Sequence, residues 1–286
     1  MKLTQFYKDG APALGIWTDR GIVDVAAAAA KLGITAPATM LQAIRGGDQA
    51  LKVLSSLPCD EILTDPKLAP VIHDPDKILC VGFNYHSHIQ EFGKEVSTDL
   101  PKVPTVFNKF RCALAAHGDA IALHPGYREY DYEAELVVII GKPCYQVKAE
   151  NALDYIFGCT CGNDLSTRDL QFARGSQWLM SKTFPGFAPI GPCVAVGLDP
   201  RDLAISCCVN GEKRQDSRTS NLIFDAAYMI EDLSHHFPLL PGDLLFTGTP
   251  EGVMKGWPVD KRQWLKAGDR VDVTIEGIGT LTNTLV

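Results

Sequence analysis

The sequence predicts a mixed α/β, strand-rich fold, with a small α+β unit over residues 1–70 ahead of a larger unit over residues 71–286. Three observations lead there. Short apolar runs separated by Asp-Gly-type turns open the chain. A segment carrying Pro66, Pro70 and Pro75 interrupts it. After Lys77 the apolar runs are strand-sized and show no clean βαβ alternation, which disfavours a doubly wound sheet.

Taken in order, Leu3 to Tyr7 reads as a strand, Lys8-Asp9-Gly10 as a turn, and Ala13 to Thr18 as a second strand. Asp19-Arg20-Gly21 turns the chain again into Ile22 to Val25. Asp24 can cap a helix through the Ala26 to Ala30 run, and Gly33 can end it. Two short helices are expected next, from Thr39 to Gly46-Gly47 and from Asp48 to about Leu57, then a linker from Asp65 to Asp76. Beyond it, strands are expected at Ile78–Val81, Asp119–Leu123, Ala134–Ile140, Cys193–Val196, Leu203–Val209, Asp243–Thr247 and Arg270–Glu276. Helices are expected at Tyr85–Phe92, from Ala149, and over Asn221–His235.

Composition narrows the function. The 286 residues are 46% hydrophobic and 21% charged, the balance of a chain that buries a core. A net charge of -7 without any run of Lys and Arg excludes nucleic acid as an expected partner. An anionic substrate would need a local cation to offset that field. No stretch reaches the roughly 18 apolar residues of a membrane span, and the opening residues lack secretory character. A cytoplasmic protein with no membrane partner is therefore expected. The nine cysteines lack zinc-finger spacing and read as reduced packing residues.

Four segments carry chemistry. In Asp131-Tyr132-Glu133-Ala134-Glu135-Leu136, a strand would put Asp131, Glu133 and Glu135 on one face with Val137 and Ile139. Paired carboxylates entering a core strand are costly unless a cation compensates, although an exposed edge would need none. Asn163-Asp164-Leu165-Ser166-Thr167-Arg168-Asp169-Leu170-Gln171 offers a third carboxylate or, alternatively, an Asx-turn. Three carboxylates favour a hard divalent ion over zinc or copper. His88 and Glu91, spaced i, i+3, meet on one helical face, as either an oriented general base or a surface pair. Leu244 to Gly252 is a strand running into a glycine-rich turn whose N–H groups and Thr hydroxyls can approach an anion.

In this order the segments resemble the fumarylacetoacetate hydrolase family from about Lys77 to the C-terminus. The carrying motifs are Gly82-x-Asn84-Tyr85-x-x-His88-x-x-Glu91, Asp131-Tyr132-Glu133-Ala134-Glu135-Leu136, Asn163-Asp164-x-Ser166-x-Arg168-Asp169-x-Gln171, Lys182-Thr183-Phe184 and Thr247-Gly248-Thr249-Pro250. Asn210-Gly211-Glu212 and Gln215 add to them. One departure follows Phe184, where the family often has Asp and this chain has Pro185-Gly186. The resemblance implies a β-roll catalytic domain, usually a homodimer. It implies Mg²⁺ or Mn²⁺ (Ca²⁺ in a crystal) held by Glu133, Glu135 and Asp164, with Asp131 beside the ligands. It implies His88 and Glu91 as a catalytic pair on a lid, Lys182 as the site lysine, and Gln171, Thr249 and Arg168 as substrate-binding residues. The expected substrate is a small anionic 2-oxo acid that reacts through an enolate. C–C hydrolysis of an acylpyruvate-like compound is the first reading. Decarboxylation of an oxaloacetate-type acid, isomerisation or hydration of unsaturated 2-oxo-diacids, and a non-catalytic metal-binding protein are the alternatives.

Overall fold

The structure, a computed structural model, describes residues 1–92, 101–175 and 177–286. Strands Lys2–Lys8 and Ala11–Thr18 flank Asp9 and Gly10, both at positive φ (51° and 80°), so the turn residues close this hairpin as expected. Strand Gly21–Asp24 leads into helix Val25–Leu32. The Asp24 side chain accepts from the Ala27 N–H, and Gly33 ends the helix in a left-handed conformation. Helical residues run from Met40 to Ser55 behind the Thr39 cap. They are broken at Gly47 (φ 50°, ψ -139°), so two helices meet at the glycine pair.

The expected linker contains a short strand, Leu68–Ala69, which pairs with Gln5 and Phe6. Nor does the sheet break near residue 70. Leu3 pairs with Val194, which places the N-terminal hairpin in the same sheet as the rest of the chain. Along its main path that sheet runs Gly21–Asp24, Ala11–Thr18, Lys2–Lys8, Ala188–Val196, Ile156–Asn163, Ala134–Ile140, Leu244–Phe246, Ile78–Gly82, Thr105–Asn108. A second, five-stranded sheet is ordered Glu212–Arg218, Ala204–Val209, Arg270–Ile275, Gly279–Leu285, Ala120–Ile121.

The central strand Ala134–Ile140 is buried throughout, and its period-2 alternation feeds two cores. Leu136, Val138 and Ile140 pack with Ile205, Val273 and Leu281 of the second sheet and with Met229 and Leu233 of helix Ala226–His236. Val137 and Ile139 pack instead with Ala28, Ile44 and Leu54 of the N-terminal helices. The large sheet is therefore covered on one face by the second sheet and a helix, and on the other by the N-terminal helices.

Strand direction then gathers the functional segments at one edge. Ile78–Gly82 and Leu244–Phe246 are parallel, so their C-terminal ends lie together. Ala134–Ile140 is antiparallel to Leu244–Phe246, which brings its N-terminal end there. Ile156–Asn163 is antiparallel to Ala134–Ile140, which delivers Asn163 and Asp164 to the same place. Among the described residues no helix is long and apolar enough to cross a membrane.

Candidate active site

Glu133 lies in the break between the two-residue strand Tyr130–Asp131 and strand Ala134–Ile140, so the expected continuous strand is interrupted at its mouth. Asn163 splints the break, its Oδ1 accepting from the Glu133 N–H at 3.0 Å, while the Asp164 N–H donates to Glu133 O at 2.9 Å. One carboxylate oxygen from each of Glu133, Glu135 and Asp164 lies within 4.8 Å of the others, and all three residues are buried.

The carboxylates are compensated by cations of this chain. Lys182 Nζ donates to Glu133 Oε2 at 2.7 Å and Asp164 Oδ2 at 2.8 Å. Lys109 Nζ lies 2.5 Å from Asp164 Oδ1. Burial alone would raise the Glu133 carboxyl, but Lys182 and Arg168 overcome it and hold Glu133 below the usual carboxylate range. Burial, then the charges of Asp164 and Glu133, push Glu135 well above it. Asp164 is also raised, because burial outweighs Lys109 and Lys182.

The donor set fits a hard divalent cation. It is all oxygen, as Mg²⁺, Mn²⁺ or Ca²⁺ prefers. Asp164 Oδ1 is buried and, among the described residues, is met only by the Lys109 ammonium, as an ion pair at 2.5 Å.

Arg168, expected to bind substrate, is turned onto the protein. Its nitrogens donate to Asp131 Oδ2 (2.9 Å), Glu133 Oε1 (2.5 Å) and Gln171 Oε1 (2.8 Å). That leaves at most two of a guanidinium's five N–H groups for a ligand. Asp131 is a hub, also accepting from the Met254 and Lys255 N–H groups. Thr249 and Gln171 line the pocket, and the Thr249 hydroxyl accepts from Gln215 Nε2 at 2.8 Å.

His88 and Glu91 sit on helix His86–Glu91, where His88 Nδ1 is 2.6 Å from Glu91 Oε1. The pair is therefore internal, and His88 lines the same pocket as the carboxylates and Lys182. That pocket is walled by Phe83, Phe92, Phe107, Phe172 and Trp178. Gly82 admits the Trp178 ring, because a Cβ there would lie 2.3 Å from it.

The glycine-rich turn binds carboxylates of the protein itself. The Gly248 N–H donates to Glu135 Oε2 (2.7 Å), and the Gly252 N–H to Glu91 Oε2 (2.8 Å). Ser87 Oγ donates to Glu251 in the same turn. A Cβ on Gly256 would lie 2.4 Å from the Glu91 carboxylate. We expect Gly256→Ala to displace that flexible side-chain end rather than the backbone. Turnover should fall on the order of tenfold to hundredfold through loss of the oriented His88, with cation affinity unchanged in calorimetry. Wild-type turnover in the variant would show that Glu91 does not need this seat.

Other motif residues prove to be pins. Asn84 Nδ2 donates to Phe224 O and Thr247 O, and its Oδ1 accepts from the Phe224 N–H. Gln215 Oε1 accepts from the Ala134 N–H. Pro185-Gly186 forms a turn with Gly186 at φ 84° against Ile121. Sequence reasoning missed Lys109, which follows the short strand Thr105–Asn108 with no charged neighbour pattern to mark it.

Known proteins resemble this chain over most of its length. The model of the fumarylacetoacetate (FAA) hydrolase C-terminal domain matches residues 77–286. The chain belongs to the fumarylacetoacetate hydrolase family. It is 40% identical over 260 residues to a Rattus norvegicus protein described as oxaloacetate tautomerase Fahd2a, mitochondrial, covering 87% of this chain and 80% of that one. It is 37% identical over 304 residues to a Homo sapiens protein described as oxaloacetate tautomerase FAHD2A, mitochondrial, covering 100% and 92%. Among solved structures, fumarylacetoacetate hydrolase from psychrophilic Exiguobacterium antarcticum superposes with a TM-score of 0.84 at 32% identity, covering 100% and 99%. The fold expected from the family resemblance, mixed α/β and strand-rich, is the one found. The chain is an enzyme of this family.

Proposed function

We propose that this enzyme interconverts the keto and enol forms of a small 2-oxo diacid of the oxaloacetate type, in a divalent-cation-dependent reaction. The observation that carries the reading is one small aromatic-walled pocket lined together by an oriented imidazole, an ammonium and three carboxylates suited to a hard cation. The rat and human relatives, with this activity in their descriptions, support the choice of reaction.

Glu133, Glu135 and Asp164 would hold Mg²⁺ or Mn²⁺. When bound, such an ion polarises a 2-oxo group as a Lewis acid. Every other part is supplied by the chain. Lys182 places an ammonium where negative charge develops on the substrate oxygen. Glu91 occupies His88 Nδ1, so Nε2 is the nitrogen left to take a proton from the carbon beside the 2-oxo group and return one. The Gly252 N–H steadies Glu91. Phe83, Phe92, Phe107 and Trp178 exclude water around the reacting carbon. Thr249 and Gln171, with the N–H groups that Arg168 has to spare, are the substrate contacts in this reading. The enzyme is taken as a cytoplasmic homodimer, and the nine free thiols suit a reducing compartment.

A second reading, C–C hydrolysis of an acylpyruvate-like acid, draws on the likeness to the Exiguobacterium hydrolase. The same imidazole would then activate water. One experiment separates the two. The enzyme is incubated with Mn²⁺ in D₂O, with oxaloacetate and then with acetylpyruvate, and followed by NMR with an EDTA control. EDTA-sensitive acceleration of keto–enol exchange, without carbon loss, supports the tautomerase. Pyruvate plus a second acid from acetylpyruvate moves the assignment to the hydrolase, and carbon dioxide from oxaloacetate to a decarboxylase. No change in either substrate, with Mn²⁺ bound, removes the substrate class.

A further inference from the structure

Two lysines bracket Asp164, and only one of them lines the pocket. Lys182 lines it and holds Oδ2. Lys109 is not among the lining residues, its side chain is 0% exposed, and its Nζ lies 2.5 Å from Oδ1. The ammonium is fixed from two further directions, and the backbone of Lys109 is tied as well. The ammonium donates to Leu165 O at 3.2 Å and Phe187 O at 2.5 Å, while the Lys109 N–H donates to Ile78 O at 3.1 Å. A side chain held this way cannot swing into the pocket to meet substrate.

We propose that Lys109 is a positioning residue that acts as a fixed counter-charge. It clamps Asp164 from the protein side, weakens the site's hold on a divalent cation, and in return adds positive potential where the substrate becomes anionic. The proposal rests on reading Glu133, Glu135 and Asp164 as a cation site. Its physical basis is Coulombic. An ammonium beside a ligand oxygen opposes any cation bound to that carboxylate, and burial leaves the repulsion poorly screened. The same potential favours an enolate over the neutral keto acid.

Removing the charge should therefore move two quantities in opposite directions, whereas the loss of a mere scaffold would lower both. Lys109→Gln removes the charge and keeps a donor for the carbonyl oxygens of Leu165 and Phe187. Lys109→Met removes both and keeps most of the length. Mn²⁺ titration by calorimetry is expected to show binding tighter by about tenfold in each variant. Turnover of the 2-oxo acid should fall by about tenfold or more, with a smaller change in KM. Mn²⁺ binding equal to or weaker than wild type in a folded variant overturns the proposal. So does a variant that stays unfolded in saturating Mn²⁺, since that marks Lys109 as scaffold. Failure of the wild-type enzyme itself to bind Mn²⁺ would instead sink the cation-site reading beneath it.

Discussion

His88→Ala is expected to reduce turnover by roughly a hundredfold to ten-thousandfold, the range for losing a general base, while Mn²⁺ binding stays within about twofold of wild type. The two halves of that expectation come from different parts of the structure. The carboxylates that would hold the cation stand on the strand edge and are set by Asn163, Gly248, Lys109, Lys182 and Arg168. His88 belongs instead to helix His86–Glu91, where its ring meets Phe92 edge-on at 5.1 Å and Phe83 at 5.9 Å. Deleting the imidazole removes no ligand and no strand-edge hydrogen bond. Glu91→Gln should cost less, about tenfold to hundredfold, because its amide oxygen can still accept from the Gly252 N–H but no longer stabilises an imidazolium. Activity is read as keto–enol exchange and cation binding as calorimetric Kd. Full activity in both variants would remove the pair from the mechanism.

That site was legible in the sequence because its motifs are dense in charge, and charge at the mouth of a core strand demands an explanation. The less legible parts have specific causes. Strand Ile156–Asn163 contains Gly158 and Gly162, which local propensity counts against a strand. Yet a Cβ on Gly162 would lie 2.4 Å from Val137 and 2.6 Å from Phe246, and one on Gly158 2.5 Å from Ala195 O. The middle of the sheet closes only because side chains are absent there, a tertiary fact no window of residues reports. Strand Glu212–Arg218 is absent from the expected strands because it lies at a sheet edge and is almost wholly polar, with Gln215 as its buried member. The helix expected over Asn221–His235 starts at Ala226 behind the Asp225 cap. Residues before the cap are claimed by the site, Leu222 bridging to Tyr85 and Phe224 bonding to Asn84. Lys109 was hidden for a similar reason, since its partner Asp164 is 55 residues away and nothing near it in sequence is acidic.

EDTA is expected to abolish turnover, and the stabilisation conferred by Mn²⁺ should grow as pH rises. The sign follows from Glu135. Burial and the neighbouring charges of Asp164 and Glu133 raise its carboxyl well above the ordinary carboxylate range, so without a cation it keeps its proton to higher pH than an ordinary carboxylate. A carboxyl raised on folding contributes its stability fully below the unfolded pKa, about 4.3 for Glu, and loses it as pH rises toward the folded value. The cation-free protein is thus progressively penalised by ionising Glu135. A divalent cation needs that ionised form, so binding it releases the proton. While one proton is released, apparent affinity should rise by about tenfold per pH unit. The thermal shift at fixed Mn²⁺ should then be larger at pH 8 than at pH 6. Glu133 has the opposite sign. Lys182 and Arg168 hold it ionised against burial, so its contribution is present above the unfolded pKa and is lost only in acid. Calorimetry in two buffers of different ionisation enthalpy counts the released protons directly. Equal affinity at pH 6 and pH 8 would mean that Glu135 is already ionised in the cation-free protein, and the charge balance drawn for this site would have to be rebuilt around the two lysines.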